Sequence, residues 1–492
     1  MWHGQFEKLF IGGEWVDPGG TQQIEVVSPF TEQVIERVAA ATVTDIDRAA
    51  TAAREAFDRG PWPRVSLAER TEVLGRFAKL YVQHEDLMAE LVTAEMGCPI
   101  QVSRKIQAGA ARQKIESFLE LAQEYPFEAL RESSSGRALV SRQPVGVVAA
   151  VVPWNVPQAI TMLKLIPALL AGCTVVLKPS PEAPLDAYLV ADLLTEAGLP
   201  RGVVNVVPAQ RDASEALVTH PAVDKVSFTG STAAGRRIAS LCGNDLRRVT
   251  LELGGKSAAI ILDDADLDTA VESLRFGSLR NTGQVCSAKS RILVSRNRQA
   301  ELVDRLTAMM TAMPVGDPMN EATELGPLVS ARQRERVEEF FEIGRAEGAK
   351  IVLGGGRPGN LDCGWFVDAT VFTEVESSMR IAQEEIFGPV LSVIAYDDEA
   401  HAIDIANDSR YGLNGSVFTA DVEHGLSVAR RLRTGTVELN GNRAGPRAPA
   451  GGFKDSGIGR EGALEGFDSY VEIQSIGLPP DFVRNIGHEH NQ

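Results

Sequence analysis

A thiol and a carboxylate 34 residues apart are the side chains of this sequence best suited to covalent chemistry. Cys286 lies in the segment 281–287 (NTGQVCS), and Glu252 lies in the segment 251–257 (LELGGKS). A cysteine between glycine and small polar residues is typical of an exposed, reactive thiol. Such a nucleophile needs a base to take its proton and later to activate water, and a carboxylate can do both. The alternative for Glu252 is a carboxylate in a salt bridge at the end of a strand.

Length and charge limit the classes of protein to which the chain can belong. With 492 residues and 44% hydrophobic residues, two or three domains are expected. A net charge of −17 and a pI of about 5.0 argue against a nucleic acid as partner. The start, residues 1–8, has no basic flank followed by an apolar run, and no segment has eighteen uninterrupted apolar residues. The sequence therefore predicts a cytoplasmic protein without a membrane as partner.

The cysteines and histidines give no sign of a metal or of disulfides. An odd number of scattered cysteines without close pair spacing favours reduced thiols over a disulfide framework or a zinc site; they are Cys98, Cys173, Cys242, Cys286 and Cys363. Apart from Cys286, the cysteines are predicted to be buried packing residues. His488 and His490 lie in a polar tail, where a solvated end is the common state. No metal is predicted.

The first part of the chain is predicted to be a mixed scaffold. Residues 10–15 and 24–29 favour short strands, and residues 44–58 favour a helix. Residues 66–96 favour one long helix, with Ser66 and Glu69 as a capping box and Gly97 as its stop.

From residue 144 onward, short Val- and Ile-rich runs alternate with helical stretches. Strands buried on both faces have this pattern, which predicts a doubly wound parallel sheet; the runs are 145–152, 174–177, 203–207, 225–228 and 249–253. Such sheets bind ligands beyond the carboxyl ends of their strands. The candidate ligand-binding segments are therefore the polar ones at those ends: 153–155, 178–180, 229–235 and 252–255.

The residues alone leave alternatives at these strand ends. In 229–235 a helix start near Ser231 offers a seat for a diphosphate, but the glycine spacing departs from GxGxxG and an ordinary tight turn fits equally well. Lys178 is either solvated or bonded to a ribose hydroxyl. The GGKS segment 254–257 is not a phosphate loop, because that motif requires glycine where Thr250 stands.

The region 255–455 is predicted to hold a helix at 266–280 and a strand at 291–294, on either side of Cys286. Two further segments, 384–389 (EEIFGP) and 449–457 (PAGGFKDSG), have the composition of turns. On composition alone they are surface turns.

Together these segments resemble the motifs of the NAD(P)-dependent aldehyde dehydrogenase superfamily, in its hydrolytic type. They occur in the family's order and spacing between about residues 10 and 476: PWN at 153–155, KPS at 178–180, FTGSTxxG at 228–235, LELGGK at 251–256, GQxC at 283–286, EEIFGP at 384–389 and GGFKxSG at 451–457. The resemblance implies an α/β fold with two doubly wound domains and a small β element. The implied NAD(P)-binding domain is 1–124 with 144–253, the catalytic domain is 254–454, and the oligomerisation element is 125–143 with 468–486. A homodimer or homotetramer is implied.

The resemblance also implies roles for the catalytic residues. Cys286 would attack the aldehyde to give a thiohemiacetal, and Asn155 with the backbone N–H of Cys286 would stabilise the oxyanion. Donors of this kind contribute roughly 3–4 kcal/mol each. Glu252 would then activate water against the thioester.

Implied cofactor contacts are spread over five segments: Val152, Trp154, Lys178, Ser180, Gly230, Ser231, Gly235, Leu253, Gly254, Glu385 and Phe387. Lys178 would hold the adenosine ribose, Ser231 and Trp154 the diphosphate, and Glu385 the nicotinamide ribose with Phe387 packed beside it. Gly230 and Gly255 would allow close backbone approach.

Cofactor preference depends on one departure from the family pattern. Many NAD-preferring members have an acidic residue three positions after the lysine, where this chain has Pro181 followed by Glu182. NAD is the cofactor predicted, and NADP is the alternative.

For the substrate, the resemblance implies a tunnel walled by the segment after Asn155, the neighbours of Cys286 and the loop 443–450; the lining residues are Val156, Ile160, Leu163, Val285 and Ser287. This wall is mostly apolar and favours a bulky aliphatic, terpenoid or aromatic aldehyde. Arg443, if turned inward, would instead favour an aldehyde that carries a carboxylate.

Two alternatives to hydrolytic oxidation remain at this point. Coenzyme A-acylating semialdehyde dehydrogenases typically lack a glutamate at the position of Glu252, because a base there would hydrolyse the thioester. The second alternative is a non-catalytic structural role, as in relatives recruited to eye lenses. The presence of Cys286, Glu252 and Asn155 together weighs against it, because a structural role does not require them.

Overall fold

The computed structural model describes residues 4–479 and Phe482. The first three residues, the polar tail with His488 and His490, and most of 480–486 from the segment 468–486 lie outside the described residues. No helix among the described residues is long and apolar enough to cross a membrane.

Residues 4–253 contain eleven strands and nine α-helices. The strands are β1 (Leu9–Ile11), β2 (Glu14–Val16), β3 (Gln23–Val27), β4 (Val34–Ala39), β5 (Glu128–Ser133), β6 (Gly136–Pro144), β7 (Val147–Val151), β8 (Thr174–Lys178), β9 (Val204–Val206), β10 (Lys225–Thr229) and β11 (Arg248–Glu252). The helices are α1 (Val43–Asp58), α2 (Leu67–Gln83), α3 (Glu85–Met96), α4 (Ile100–Val102), α5 (Gly109–Glu124), α6 (Pro157–Ala171), α7 (Leu185–Glu196), α8 (Arg211–Thr219) and α9 (Thr232–Asn244), with a π-helical segment Ser103–Ala108 between α4 and α5.

The rest of the described chain contains eleven strands and seven α-helices. The strands are β12 (Ser257–Ile261), β13 (Lys289–Ser295), β14 (Lys350–Leu353), β15 (Thr370–Thr373), β16 (Val390–Tyr396), β17 (Tyr411–Gly412), β18 (Asn414–Phe418), β19 (Thr436–Leu439), β20 (Phe453–Lys454), β21 (Gly457–Ile458) and β22 (Val471–Leu478). The helices are α10 (Leu267–Leu279), α11 (Gln299–Thr311), α12 (Ala331–Ala346), α13 (Arg380–Gln383), α14 (Glu399–Asn407), α15 (Val422–Ala429) and α16 (Ala463–Asp468), with 3₁₀ turns at Arg280–Gly283 and Arg296–Arg298.

The first sheet has the strand order β2-β1-β9-β8-β7-β10-β11-β21. Five neighbouring strands of this sheet, β9, β8, β7, β10 and β11, are parallel. They are the five strands that the Val- and Ile-rich runs predict. The residues of β7 and β8 are all buried, because helices cover both faces of the sheet. The parallel strands bring residues 152, 178, 229 and 252 to one edge.

The second sheet has the order β14-β15-β16-β13-β12-β18-β19 and is parallel except for the β14–β15 pair. Its strand β12 begins five residues after the end of β11, so a short connection joins the two sheets. The fold is thus α/β with two doubly wound sheets. Assigning 254–454 to a separate domain, and the other domain boundaries, stays a prediction.

A third, antiparallel sheet has the order β22-β6-β5. Strand β22 pairs along its whole length with β6, from Val471 opposite Pro144 to Leu478 opposite Arg137. The two segments named for the small β element, 125–143 and 468–486, therefore meet in one sheet in their described parts.

One helix prediction is wrong and one packing prediction fails in part. Residues 66–96 form two helices, because His84, with φ −113° and ψ 11°, ends α2 and begins α3. The capping box of Ser66 with Glu69 is confirmed, and Gly97 ends α3 in the left-handed conformation. Of the four cysteines predicted to be buried, Cys363 is exposed, while all five are free thiols.

Candidate active site

A tight turn between α10 and β13 positions Cys286. The 3₁₀ turn Arg280–Gly283 contains Asn281 and Thr282 at φ 54° and 56°, a left-handed conformation that costs free energy in non-glycine residues. Neighbouring side chains stabilise it: Asn281 Nδ2 donates to the carbonyl oxygen of Asn155 at 3.0 Å. Gln284 is fully buried, and its Oε1 accepts from the backbone N–H of Val329 at 3.0 Å. The backbone is thus fixed, while the thiol that follows is partly exposed.

Asn155 lies beside this turn, just after the carboxyl end of β7. Its Nδ2 donates to the carbonyl oxygen of Gln284 at 2.9 Å, and its own carbonyl accepts from Gln107 Nε2 at 2.8 Å. Because Asn155 is 5% exposed and its side-chain amide donates to Gln284, the amide has little rotational freedom.

Glu252 is the last residue of β11 and carries a buried oxygen atom, Oε1, without a hydrogen-bond partner among the described residues. Burial and the neighbouring Glu461 raise its pKa to about 8, while Lys164 and Arg460 act in the opposite direction. A Cβ atom on Gly451 would lie 2.9 Å from the same oxygen, so this glycine leaves room for the carboxylate. None of the ion pairs found in the described part of the chain includes Glu252. This argues against the alternative that Glu252 forms a salt bridge at the end of its strand.

A buried ion pair lies next to Glu252. Lys164 Nζ is 2.6 Å from Glu461 Oε1, and both side chains are almost completely buried, at 0% and 1% exposure. Ser227 Oγ donates to the same Glu461 oxygen at 3.1 Å. Glu461 Oε2 has no partner among the described residues. This second carboxylate is one reason why Glu252 holds a proton at neutral pH.

The Cys286 thiol is neutral in this environment. Burial, with the carboxylates Glu385 and Glu252, raises the pKa of the thiol to about 12, and Arg280 acts to lower it. A thiolate is the reactive form of a cysteine, so this thiol would need a base to act as a nucleophile.

The segment after Glu252 approaches both Cys286 and Glu385 closely. A Cβ atom on Gly254 would lie 2.4 Å from Glu385 Oε2, and one on Gly255 would lie 2.5 Å from the carbonyl oxygen of Cys286. The N–H of Gly255 donates to Glu385 Oε1 at 2.9 Å. Burial raises the pKa of Glu385 to about 7, opposed by that hydrogen bond and by Arg336. The double glycine is therefore required by space.

A cavity of about 400 Å³ opens in front of Cys286. Nine of the residues singled out from the sequence line it: Trp154, Asn155, Gly230, Ser231, Leu253, Gly254, Cys286, Glu385 and Phe387. These residues come from three of the four strand-end segments, from the GQxC segment and from the EEIFGP segment. The indole of Trp154 packs edge-on against Phe387, with ring centroids 5.4 Å apart. The EEIFGP segment is therefore part of the cavity wall rather than a plain surface turn.

The other predicted cofactor contacts and Glu252 do not line this cavity. Gly235 is in α9, where a Cβ atom would lie 2.4 Å from Leu253 Cδ2, so it permits close helix–strand packing. Lys178 is buried, at 7% exposure, and burial lowers its pKa to about 8, so it is not a solvated lysine. Ser180 Oγ donates to Glu182 Oε2 at 2.5 Å. Val152, with 3% exposure, is a core residue.

The five predicted tunnel residues do not line the cavity either. Val156, Ile160 and Leu163 are partly buried at the start of α6, and Val285 is buried at 7% exposure. Ser287 is partly exposed and accepts a hydrogen bond from Arg280 Nη2 at 3.0 Å.

Several residues of the cavity wall were not found from the sequence. They are Arg332, Gln333, Arg336, Arg410 and Tyr411. Gln333 Nε2, on α12, donates to the carbonyl oxygen of Phe387 at 2.9 Å, and Arg336 Nη2 donates to that of Glu385 at 2.6 Å. Helix α12 thus holds the EEIFGP segment in place. The excess of arginine in 332–336 was the available signal.

The cavity wall fits a dinucleotide. Ser231 caps the N-terminus of α9, a helix of 13 residues, with its Oγ accepting from the N–H of Ala234 at 3.3 Å. Free N–H groups at a helix N-terminus favour a phosphate. The cavity also offers the aromatic pair Trp154 and Phe387 and three arginines to an anionic ligand. No group of histidine, cysteine and acidic residues in the described chain has the arrangement of a metal site.

Comparison with known proteins gives one consistent match. The model of the aldehyde dehydrogenase family matches residues 15–476. The chain is 45% identical to geranial dehydrogenase of Castellaniella defragrans, covering 96% of this chain and 98% of the relative. It is 42% identical to betaine aldehyde dehydrogenase of Rhizobium etli, covering 95% and 96%. The crystal structure of an aldehyde dehydrogenase of Mycobacterium tuberculosis with NAD+ superposes with a TM-score of 0.96 at 45% identity, covering 97% and 99%.

Proposed function

Since this chain belongs to the aldehyde dehydrogenase family, we propose that it oxidises an aldehyde to the carboxylic acid through a covalent bond to Cys286. The observation that carries this proposal is the position of Cys286 at a cavity that Asn155 and Glu385 also line. Glu252, with a raised pKa, supports a hydrolytic end to the cycle. The sequence motifs predict this same chemistry.

The first proposed step joins the Cys286 sulfur to the aldehyde carbon. The thiol gives its proton to Glu252 or to a bound water, and the carbonyl oxygen becomes an oxyanion in a thiohemiacetal. The oxyanion is stabilised by the free N–H of the Asn155 amide and by the N–H of Cys286. The hydrogen bond from Asn155 to Gln284 holds the amide in place before the substrate arrives. Such preorganisation lowers the free energy of the transition state.

The cofactor, when bound, supplies the acceptor for the two electrons that leave the aldehyde carbon. Ser231 and Trp154 would hold its diphosphate, Lys178 its adenosine ribose, and Glu385 its nicotinamide ribose. Gly230 and Gly255 would let the backbone come close to the cofactor.

Glu252 acts in the last proposed step. As a carboxylate it takes a proton from water, which attacks the thioester carbon, releases the acid and returns the Cys286 sulfur. Coenzyme A-acylating relatives avoid such a base. Its presence here therefore favours hydrolysis over transfer to coenzyme A.

NAD is the proposed cofactor. Pro181 lacks the carboxylate expected at its position, but Glu182 is close enough to raise the pKa of Lys178 against the effect of burial. A carboxylate near the adenosine ribose repels the 2′-phosphate of NADP. The similar structure from Mycobacterium tuberculosis, which contains NAD+, supports the same preference.

Apolar or bulky aldehydes are the proposed substrates. The predicted tunnel residues are apolar apart from Ser287, and the relative named for geranial supports an apolar substrate. Leu163 lies near the loop 443–450, because both are within 4 Å of a Cβ atom built on Gly462. A path between α6 and this loop would bring the aldehyde to Cys286 from the side opposite the cofactor.

We also propose a cytoplasmic homodimer or homotetramer. A reducing compartment is needed because Cys286 must stay a free thiol. The three-stranded sheet presents the apolar residues Leu130, Ile473 and Ile476 at 36%, 65% and 42% exposure. Burial of this surface between copies would stabilise an assembly.

An assay with a panel of aldehydes and both NAD+ and NADP+ tests the function. Reduced nicotinamide is followed by its ultraviolet absorbance, and the acid product is identified. Turnover without coenzyme A, lost in Cys286→Ala, is the expected result. No reduced cofactor with any aldehyde would reject the proposal, and turnover only with coenzyme A would replace it by the acylating reaction.

A further inference from the structure

Arg280 is a buried cation that contacts Ser287, the residue after the predicted nucleophile Cys286. Its side chain is packed over the ring of Phe276, with Cζ 5.2 Å from the ring centroid, and the residue is 7% exposed. Nη1 donates to the carbonyl oxygen of Phe276 at 3.1 Å, which also caps the end of α10. Nη2 donates to Ser287 Oγ at 3.0 Å. These contacts fix the guanidinium beside Ser287, the residue that follows Cys286.

The charge of Arg280 is not neutralised by a direct partner. Within residues 4–479, no carboxylate oxygen lies within 4.0 Å of its guanidinium. The acidic residue of this neighbourhood is Glu438, and it is already bound: Lys289 Nζ lies 2.7 Å from its Oε2, and Asn414 Nδ2 donates to its Oε1 at 3.1 Å. The carboxylate thus compensates Lys289 first.

Further cations add to the positive potential around Arg280. Arg443, in the loop predicted to wall the aldehyde path, lowers the pKa of Arg280, after the larger effect of burial. It also lowers the pKa of Lys114, again after burial. Arg280, Lys289 and Arg443 thus interact with one another and with Glu438, while Lys114 interacts with Arg443 and with Glu461.

Arg280 and Ser287 do not line the cofactor cavity, although Cys286 does. Cys286 and Ser287 are both partly exposed, and the Ser287 hydroxyl accepts a hydrogen bond from the Arg280 guanidinium. An aldehyde bound to Cys286 therefore lies one residue away from the serine that holds Arg280.

We propose that Arg280 determines specificity by disfavouring aldehydes that carry a positive charge near the reacting carbonyl, and this inference rests on the proposed function. A cation in a partly desolvated path is repelled by an unneutralised guanidinium a few ångströms away, and the repulsion is much stronger than in bulk water. A neutral aldehyde of the same shape is not repelled. The contrast matters here because relatives of similar identity are named for geranial, a neutral aldehyde, and for betaine aldehyde, a cationic one.

Two aldehydes of nearly the same shape test the charge alone. Betaine aldehyde and 3,3-dimethylbutanal differ in having a trimethylammonium or a tert-butyl group. The readout is the ratio of their kcat/KM values, in which a general loss of activity cancels. For the unchanged protein we expect the neutral aldehyde to be favoured by at least about tenfold. Arg280→Met should lower this ratio about tenfold, and Arg280→Lys, which keeps the charge, should preserve most of it.

The possible outcomes separate the role of Arg280 from the proposed function. A ratio near one in the unchanged protein, or the same high ratio in Arg280→Met, overturns the role of Arg280. If Arg280→Met does not fold, Arg443→Gln on the exposed loop gives the second test, and the ratio should fall by a smaller factor. If the ratio does not move there, the proposed positive path is rejected. Absence of turnover with both aldehydes and with the wider panel would instead reject the proposed function.

Discussion

A Cβ atom on Gly255 would lie 2.5 Å from the carbonyl oxygen of Cys286, so the connection between the two sheets touches the backbone of the predicted nucleophile. The glycine has no left-handed φ, and the restriction is therefore one of space. It keeps the 252–255 segment and the thiol in a fixed relation. A side chain here would displace one of them.

Gly255→Ala is expected to lower kcat/KM by about tenfold to a hundredfold, because displacing a reacting group by about 1 Å has effects of this size. Steady-state kinetics with an aliphatic aldehyde measure it. The matched control is Gly243→Ala, near the end of α9, where a Cβ atom meets nothing within 4 Å. That change should leave kcat/KM unaltered and stabilise the helix by about 0.5–1 kcal/mol. Equal kinetics for both variants would show that the contact with Cys286 does not matter.

The raised pKa of Glu252 predicts a pH dependence of turnover. Its pKa of about 8 means that the base is mostly protonated at pH 7 and becomes active as the pH rises through 8. If thioester hydrolysis limits kcat, kcat should increase about tenfold between pH 7 and pH 9. A profile that is flat over this range would contradict the assignment of the base.

Glu252→Gln separates the two halves of the proposed cycle. The amide cannot accept the proton of water, so kcat should fall by about a hundredfold or more, and the inflection near pH 8 should vanish. The first turnover should persist as a rapid burst of reduced nicotinamide in stopped flow. The comparison is Cys286→Ala, which should give no burst. Loss of the burst in Glu252→Gln would mean that the carboxylate is needed before the thioester forms.

Patterns with a local cause could be predicted from the sequence. The five Val- and Ile-rich runs became the five parallel strands because burial on both faces demands continuous apolar residues. Parallel strands share one edge, and that is why Asn155, Gly230 and Gly254 line one cavity. The EEIFGP motif needed the family resemblance, because its composition alone indicates a surface turn.

Features that depend on distant partners could not be predicted. The break at His84 has neither glycine nor proline to signal it. Lys164 and Glu461 are 297 residues apart, and nothing local shows that they form a buried pair near Glu252. Helix α12, which positions Glu385, is likewise remote from it in sequence. Arg280 was visible six residues before Cys286, yet its lack of a carboxylate partner required the structure.

The buried pair predicts a stability effect that depends on both partners. Lys164→Met leaves Glu461 buried without its cation, which costs about 3–5 kcal/mol. The thermal unfolding midpoint, measured by calorimetry, should fall by several degrees. In the double variant with Glu461→Leu, no charge is left alone, and most of the loss should be recovered. A double variant no more stable than Lys164→Met would contradict this account.

The same substitution should change Glu252. Lys164 lowers the pKa of that carboxyl, so its removal raises the pKa further above 8 and moves the pH profile of kcat to higher pH. The double variant also removes the repulsion from Glu461, and its profile should move back to lower pH. Profiles that coincide with that of the unchanged protein would mean that the pair acts on stability alone.

The charge of Glu182 is expected to contribute to the preference for NAD+ over NADP+. Its Oε2 accepts from Ser180 Oγ at 2.5 Å, and its charge acts on Lys178, the predicted ribose ligand. Glu182→Gln keeps the shape and removes the charge, so the preference for NAD+ over NADP+, as the ratio of kcat/KM values, should fall about tenfold because a 2′-phosphate is no longer repelled. The control is Glu196→Gln, which removes the same charge at the exposed end of α7 and should leave the ratio unaltered. An unchanged ratio in Glu182→Gln would show that this carboxylate does not take over the role missing at Pro181.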